Sequence, residues 1–132
     1  MTGIRRVAVL GSTGSIGVST LDVIARHPDR FGVHLLAAST SVDAMLQQCL
    51  AFQPRYAVLV DADAAQALRE RMPDGLPIEV LSGQDDLARL VAADEVDVVM
   101  AAIVGAAGLP SALSAARAGK TLLLANKESL VM

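Results

Sequence analysis

The sequence predicts an α/β fold: an open, doubly wound, mostly parallel sheet with helices on both faces. Six short aliphatic runs alternate with amphipathic stretches along the chain. The runs are apolar almost without interruption, as strands covered on both faces must be, and each gap can hold a crossover helix. At 132 residues the chain is too short for the competing closed barrel, whose eight strand-helix units take about 250.

The first strand is expected over residues 7–10, followed by a glycine-rich turn and a helix over 15–27. Pro28 stops that helix by removing a backbone donor and by disfavouring helical geometry at His27. A strand over 33–38 leads to a helix over 42–52. There Cys49 stands beside Met45, Leu46 and Leu50 at helical spacing, which reads as core filler rather than a nucleophile. Next come a strand at 56–60 and a helix at 62–72, the latter thickened by the helix-favouring alanines 62, 64, 65 and 67. A strand at 78–81, a helix at 85–93, a strand at 96–104, a helix at 109–118 closed by Gly119, and a strand at 121–125 complete the alternation. Leu130, Val131 and Met132 begin what reads as another element, so the chain is expected to be the front piece of something longer.

Composition narrows the function. Hydrophobic residues make up 53% and charged residues 19%, which excludes disorder. No apolar run reaches the roughly 20 residues that span a bilayer, so no membrane partner is expected. The aromatic residues are Phe31, Phe52 and Tyr56 alone, too few for base-stacking platforms, and a net charge of −3 opposes a polyphosphate surface. Nucleic acid is therefore not an expected partner, and any anion site must be local. Residues 1–6 lack the apolar region and cleavage site of a signal peptide, which points to the cytoplasm.

Between the first strand and helix lies Gly11-Ser12-Thr13-Gly14-Ser15-Ile16-Gly17. In this setting Gly11 permits a tight turn, Gly14 lets backbone approach a pyrophosphate, and Gly17 lets the helix pack close to the sheet. Free amides at the helix start, the positive end of its dipole, and the hydroxyls of Ser12, Thr13 and Ser15 then face an anion. The Gly-Lys-Ser or Gly-Lys-Thr of a nucleotide loop is missing, so a dinucleotide suits the turn better than ATP. After the second strand a carboxylate would bind the 2′-hydroxyl of NAD; the chain instead offers Ser39, Thr40 and Ser41, whose neutral hydroxyls accept the 2′-phosphate of NADP. Thr40 or Ser41 also suits the cap of the next helix. Arg5 and Arg6 precede the first strand, at the edge away from ligands, and are expected to be solvated.

Strand five runs into small residues around Gly105, where backbone can pass close to a flat ligand. Strand six delivers Asn126, Lys127, Glu128 and Ser129 to the same carboxyl edge, either as a functional cluster or as a helix start capped by Asn126. His27 and His34 have no neighbouring metal ligands, and no metal site is expected within the chain.

The glycine turn with Ser19-Thr20-Leu21-Asp22, the run Ala101 to Gly108, and Gly119-Lys120 with Leu124 to Leu130 together resemble the 1-deoxy-D-xylulose 5-phosphate reductoisomerase family across nearly the whole chain. The resemblance implies a Rossmann-like NADPH-binding domain over residues 1–132. The family enzyme rearranges 1-deoxy-D-xylulose 5-phosphate and reduces it with NADPH to 2-C-methyl-D-erythritol 4-phosphate in non-mevalonate isoprenoid biosynthesis. By matching motifs, Thr13, Gly14, Ser15 and Ile16 would bind the pyrophosphate, Asn126 and Glu128 would line the nicotinamide, and Lys127 would touch the sugar phosphate. The ammonium of Lys127 can stabilise oxygen charge during hydride delivery, which makes it the candidate catalytic group. The chain departs from the family's frequent Gly-Lys-Asn at Ser39-Thr40-Ser41, so the cation near the 2′-phosphate is replaced by hydroxyls. The carboxylates for the divalent metal, Mg2+ or Mn2+, and the catalytic and C-terminal domains would follow Met132. The piece alone is thus expected to bind NADPH weakly and without turnover, and the full-length enzyme to be a homodimer. The alternative is a noncatalytic dinucleotide-binding module that senses redox state.

Overall fold

The computed structural model describes residues 4–101, 118, 119 and 121–124. Residues 109–117 of the helix expected over 109–118, the far end of strand five with Gly105, and the cluster of Asn126, Lys127 and Glu128 lie outside the described residues. Within them the alternation is β1 (Arg5–Leu10), α1 (Ser15–Arg26), β2 (Phe31–Ala38), α2 (Val42–Phe52), β3 (Tyr56–Leu59), α3 (Ala62–Arg71), β4 (Glu79–Ser82), α4 (Gln84–Val91), β5 (Val98–Ala101) and β6 (Thr121–Leu124).

The six strands form one sheet in the order β4-β3-β2-β1-β5-β6, and every neighbouring pair is parallel. The chain winds outward from β1 to β4, returns across the sheet to β5 beside β1, and then continues outward to β6. Crossovers therefore diverge between β1 and β5, and in open sheets of this kind the crevice beyond the carboxyl ends of the strands is where ligands bind.

Each strand serves two cores. Val7 and Val9 point to the face covered by α1, α2 and α3, where Leu21, Ile24, Met45 and Leu68 pack; Ala8 and Leu10 point to the face covered by α4, against Leu87 and Val91. Burial on both sides explains why β1 reads as a continuous apolar run rather than an alternating one. Cys49 is fully buried in the first core, and burial pushes its thiol up to about 11. It is core filler, as its helical neighbours imply. His34 packs edge-on against the Tyr56 ring at 5.5 Å, and burial lowers its pKa.

Arg5 and Arg6 depart from expectation. They are the first two residues of β1, paired with Phe31 and Gly32 of β2, because ladder bonds use backbone and ask nothing of the side chain. Nor are they simply solvated. Arg5 Nη2 donates to Thr121 Oγ1 at 3.1 Å, while the Arg6 N–H and Nε donate to Asp97 Oδ2 at 2.8 and 3.4 Å. These bonds, the backbone one foremost, hold the Asp97 carboxyl below its ordinary value of 3.8. A depressed carboxylate contributes stability that is present above the unfolded-state value and is lost as pH falls through the folded-state value. Asp97→Asn should therefore cost about 1 kcal/mol at neutral pH, given its partial exposure, and the deficit should shrink in urea titrations as pH falls below the ordinary carboxylate range and the folded-state carboxyl protonates.

Among the described residues no helix is long and apolar enough to cross a membrane, and no group of three or more His, Cys, Asp and Glu is placed to hold a metal ion.

Candidate functional site

At the end of β1 the chain turns at Gly11, whose φ of 82° lies in the left-handed region where a side chain is strained. The Gly11 and Ser12 N–H groups both donate to the Ala37 carbonyl, at 2.7 and 2.9 Å, which pins the turn to β2. The Gly14 N–H returns to the Gly11 carbonyl at 3.2 Å, and the Val18 N–H makes the first helical bond to the Gly14 carbonyl at 2.8 Å. Gly14 is thus the N-cap of α1 and carries no side chain to occupy the helix amides. The N–H groups of Ser15, Ile16 and Gly17 precede the first acceptor a helix can supply, and no acceptor among the described residues takes its place.

Gly17 makes the arrangement possible. A Cβ there would lie 2.2 Å from the Gly11 carbonyl oxygen and 2.6 Å from the Ser12 Cα, so only glycine lets α1 come this close to the turn. Gly14 differs: its φ of −79° suits any residue, and a Cβ would meet only the Gly11 oxygen, at 3.6 Å. Gly14 is exposed and lines a cleft of about 210 Å3. Gly11 and Thr13 share its wall, Ser39 and Ser41 face them from the β2 end, and Gln84 and Leu87 of α4 close the far side.

Ser12 is a correction. It is fully buried and its hydroxyl makes no hydrogen bond among the described residues, so it does not face the cleft as a donor. Ser41 occupies the N-cap position of α2 but makes no capping bond with its side chain, which leaves its hydroxyl to the cleft; Thr40 is exposed between Ser39 and Ser41 without lining the cleft. A side-chain cap is made at the start of α3, where Asp61 Oδ2 accepts from the Ala64 N–H at 2.9 Å.

The electrostatics separate α1 from the other helices. α2 carries Asp43 in its first turn, α3 carries Asp63, and α4 carries Asp85 and Asp86, each complementing its own helix dipole. α1 has no acid there. Its positive end and unpartnered amides therefore remain available to an anion from outside. A family profile described as 1-deoxy-D-xylulose 5-phosphate reductoisomerase matches residues 7–132. The chain belongs to this family.

Relatives bear the same description. The reductoisomerase of Methylococcus capsulatus is 60% identical over 130 residues, covering 97% of this chain and 33% of the relative; that of Shewanella pealeana is 58% identical over 128 residues, covering 97% and 32%. The chain spans about a third of the length of these relatives. Solved reductoisomerases superpose on it closely. One in complex with NADPH, fosmidomycin and magnesium has a TM-score of 0.87 at 46% identity, covering 97% of this chain and 31% of that one. Another, from Zymomonas mobilis in complex with NADPH, has a TM-score of 0.87 at 43% identity, covering 99% and 34%. The reductoisomerase fold of this chain is accordingly the Rossmann-like α/β sheet.

Of the expected contacts, the structure brings together Gly11, Thr13, Gly14, Ser39 and Ser41 around one cleft, with Ser15 and Ile16 opening α1 beside it. Gln84 and Leu87 had no sequence signal beyond the rule that every helix of such a sheet starts at the same edge.

Proposed function

We propose that residues 1–132 form the NADPH-binding domain of a 1-deoxy-D-xylulose 5-phosphate reductoisomerase. The full-length protein, on this reading, isomerises 1-deoxy-D-xylulose 5-phosphate and reduces the product to 2-C-methyl-D-erythritol 4-phosphate. The observation that carries it is the acid-free start of α1, with the Ser15, Ile16 and Gly17 amides unpartnered among the described residues beside a cleft. Such a group of donors is matched to a diphosphate, not to a neutral ligand.

Thr13, Gly14, Ser15 and Ile16 hold the diphosphate. The cleft is smaller than the roughly 300–1,000 Å3 of a site that encloses a whole ligand, so it takes one part of the dinucleotide. Ser39, Thr40 and Ser41 receive the 2′-phosphate, since no carboxylate stands at the end of β2 to repel it. The next acid, Asp43, is ion-paired with Arg71, which offsets its charge. Gly105, Asn126 and Glu128 border the nicotinamide, which supplies a hydride when the cofactor is bound. Lys127 contacts the sugar phosphate and stabilises oxygen charge. The described residues do not fit a divalent metal, and no step is assigned to one in this domain. The enzyme works as a homodimer in the cytoplasm, a reducing setting consistent with the free buried thiol of Cys49.

Fluorescence titration of the full-length protein tests the cofactor assignment. NADPH is expected to bind about tenfold or more tightly than NADH, a difference of about 1.4 kcal/mol for the extra phosphate. Equal affinities would contradict the reading of Ser39-Thr40-Ser41, and reductoisomerase turnover by residues 1–132 alone would contradict the division of labour.

A further inference from the structure

Two turns into α2, Gln48 reaches back to the glycine turn, and its Nε2 donates to the Ser12 carbonyl at 2.8 Å across 36 residues of sequence. A carbonyl can only accept, which fixes the orientation of the Gln48 amide. Gln48 Oε1 is buried and has no hydrogen-bond partner among the described residues, so the donated bond is the polar contact that this side chain makes.

The bond matters because of the peptide it holds. In a trans peptide the C=O and the following N–H point to opposite sides, and no cis bond occurs here. Drawing the Ser12 carbonyl toward Gln48 therefore aims the Thr13 N–H the other way, and Thr13 lines the cleft. Neighbouring groups fix the peptides on either side: the Ser12 N–H is held by Ala37, and the Gly14 N–H by Gly11. The buried Ser12 hydroxyl makes no hydrogen bond among the described residues that would set the plane between them. That task falls to Gln48.

We infer that Gln48 is a positioning residue for the diphosphate site, presetting the Thr13 amide as a donor before the ligand arrives. This rests on the NADPH reading above. The test uses the full-length protein, with Gln48→Met removing the donor at similar length and Gln48→His retaining one. Two ligands are titrated: NADPH, and adenosine 2′-monophosphate, which has the adenine and 2′-phosphate but no diphosphate.

Gln48→Met is expected to bind NADPH about five- to tenfold more weakly, the loss of roughly one hydrogen bond. Adenosine 2′-monophosphate should bind as it does to the wild type, the thermal midpoint should stay near the wild-type value, and Gln48→His should recover NADPH affinity. Wild-type affinity in Gln48→Met overturns the inference, as does a parallel loss of both ligands, which is the mark of general loosening. Should Gln48→Met fail to fold, a folded Gln48→His that binds NADPH tenfold more weakly overturns it, whereas wild-type affinity supports it. A wild-type protein that binds no NADPH overturns the NADPH reading itself, and this inference with it.

Discussion

Gly17→Ala is expected to destabilise the protein by about 3 kcal/mol or more and to weaken NADPH binding on the order of 100-fold. The added methyl would sit 2.2 Å from the Gly11 carbonyl oxygen and 2.7 Å from the Ser12 carbonyl carbon, all backbone that no rotamer change can move aside. Relief requires α1 to slide away from β1. That motion tears at the contacts of Leu21 and Ile24 with the core and displaces the helix amides from the turn that orders them. Urea unfolding and NADPH titration read the two losses, which should appear together. A variant with wild-type stability would show that α1 does not need this close approach.

Gly14→Leu should separate the same two quantities. Its backbone already has dihedrals that leucine adopts, and the nearest non-local atom to a Cβ is at 3.6 Å, so the fold should keep its stability to within about 1 kcal/mol. The side chain, however, stands at the exposed wall of the cleft, where the proposed function has the diphosphate touch backbone. A loss of NADPH affinity on the order of 100-fold is expected, because a branched side chain displaces charged oxygens from several hydrogen bonds at once. Unimpaired binding by this variant would mean that the ligand does not approach Gly14. Two glycines three residues apart are thus expected to serve different ends, one the fold and one the ligand.

The sequence was informative where a local pattern has one physical solution. Val42–Phe52 is the span its apolar spacing predicts, and the buried run of β1 foretold cover on both faces. It was silent where backbone alone decides. Arg5 and Arg6 join β1, and Phe31 and Gly32 join β2, through ladder bonds that leave no trace in side-chain chemistry. The strand order was equally hidden, since an apolar run carries no address for its neighbour. Ser12 misled because a serine in a glycine-rich turn looks the same whether its hydroxyl faces a ligand or the core; only the inward rotation of its peptide, toward Gln48, distinguishes the two. Gln48 had no signal at all, lying 36 residues away on an otherwise ordinary helix. Gly105, Asn126, Lys127 and Glu128 lie outside the described residues; Gly105 stands on the small residues around it, and the roles of the other three on motif resemblance.

The most direct test of the diphosphate site is to follow backbone 15N–1H resonances during addition of NADPH to the full-length protein. The amides of Thr13, Ser15, Ile16 and Gly17 should show the largest shifts and move downfield as they acquire charged acceptors. If NADPH binds while those four resonances stay in place, the cofactor is held elsewhere and the account of this turn is wrong.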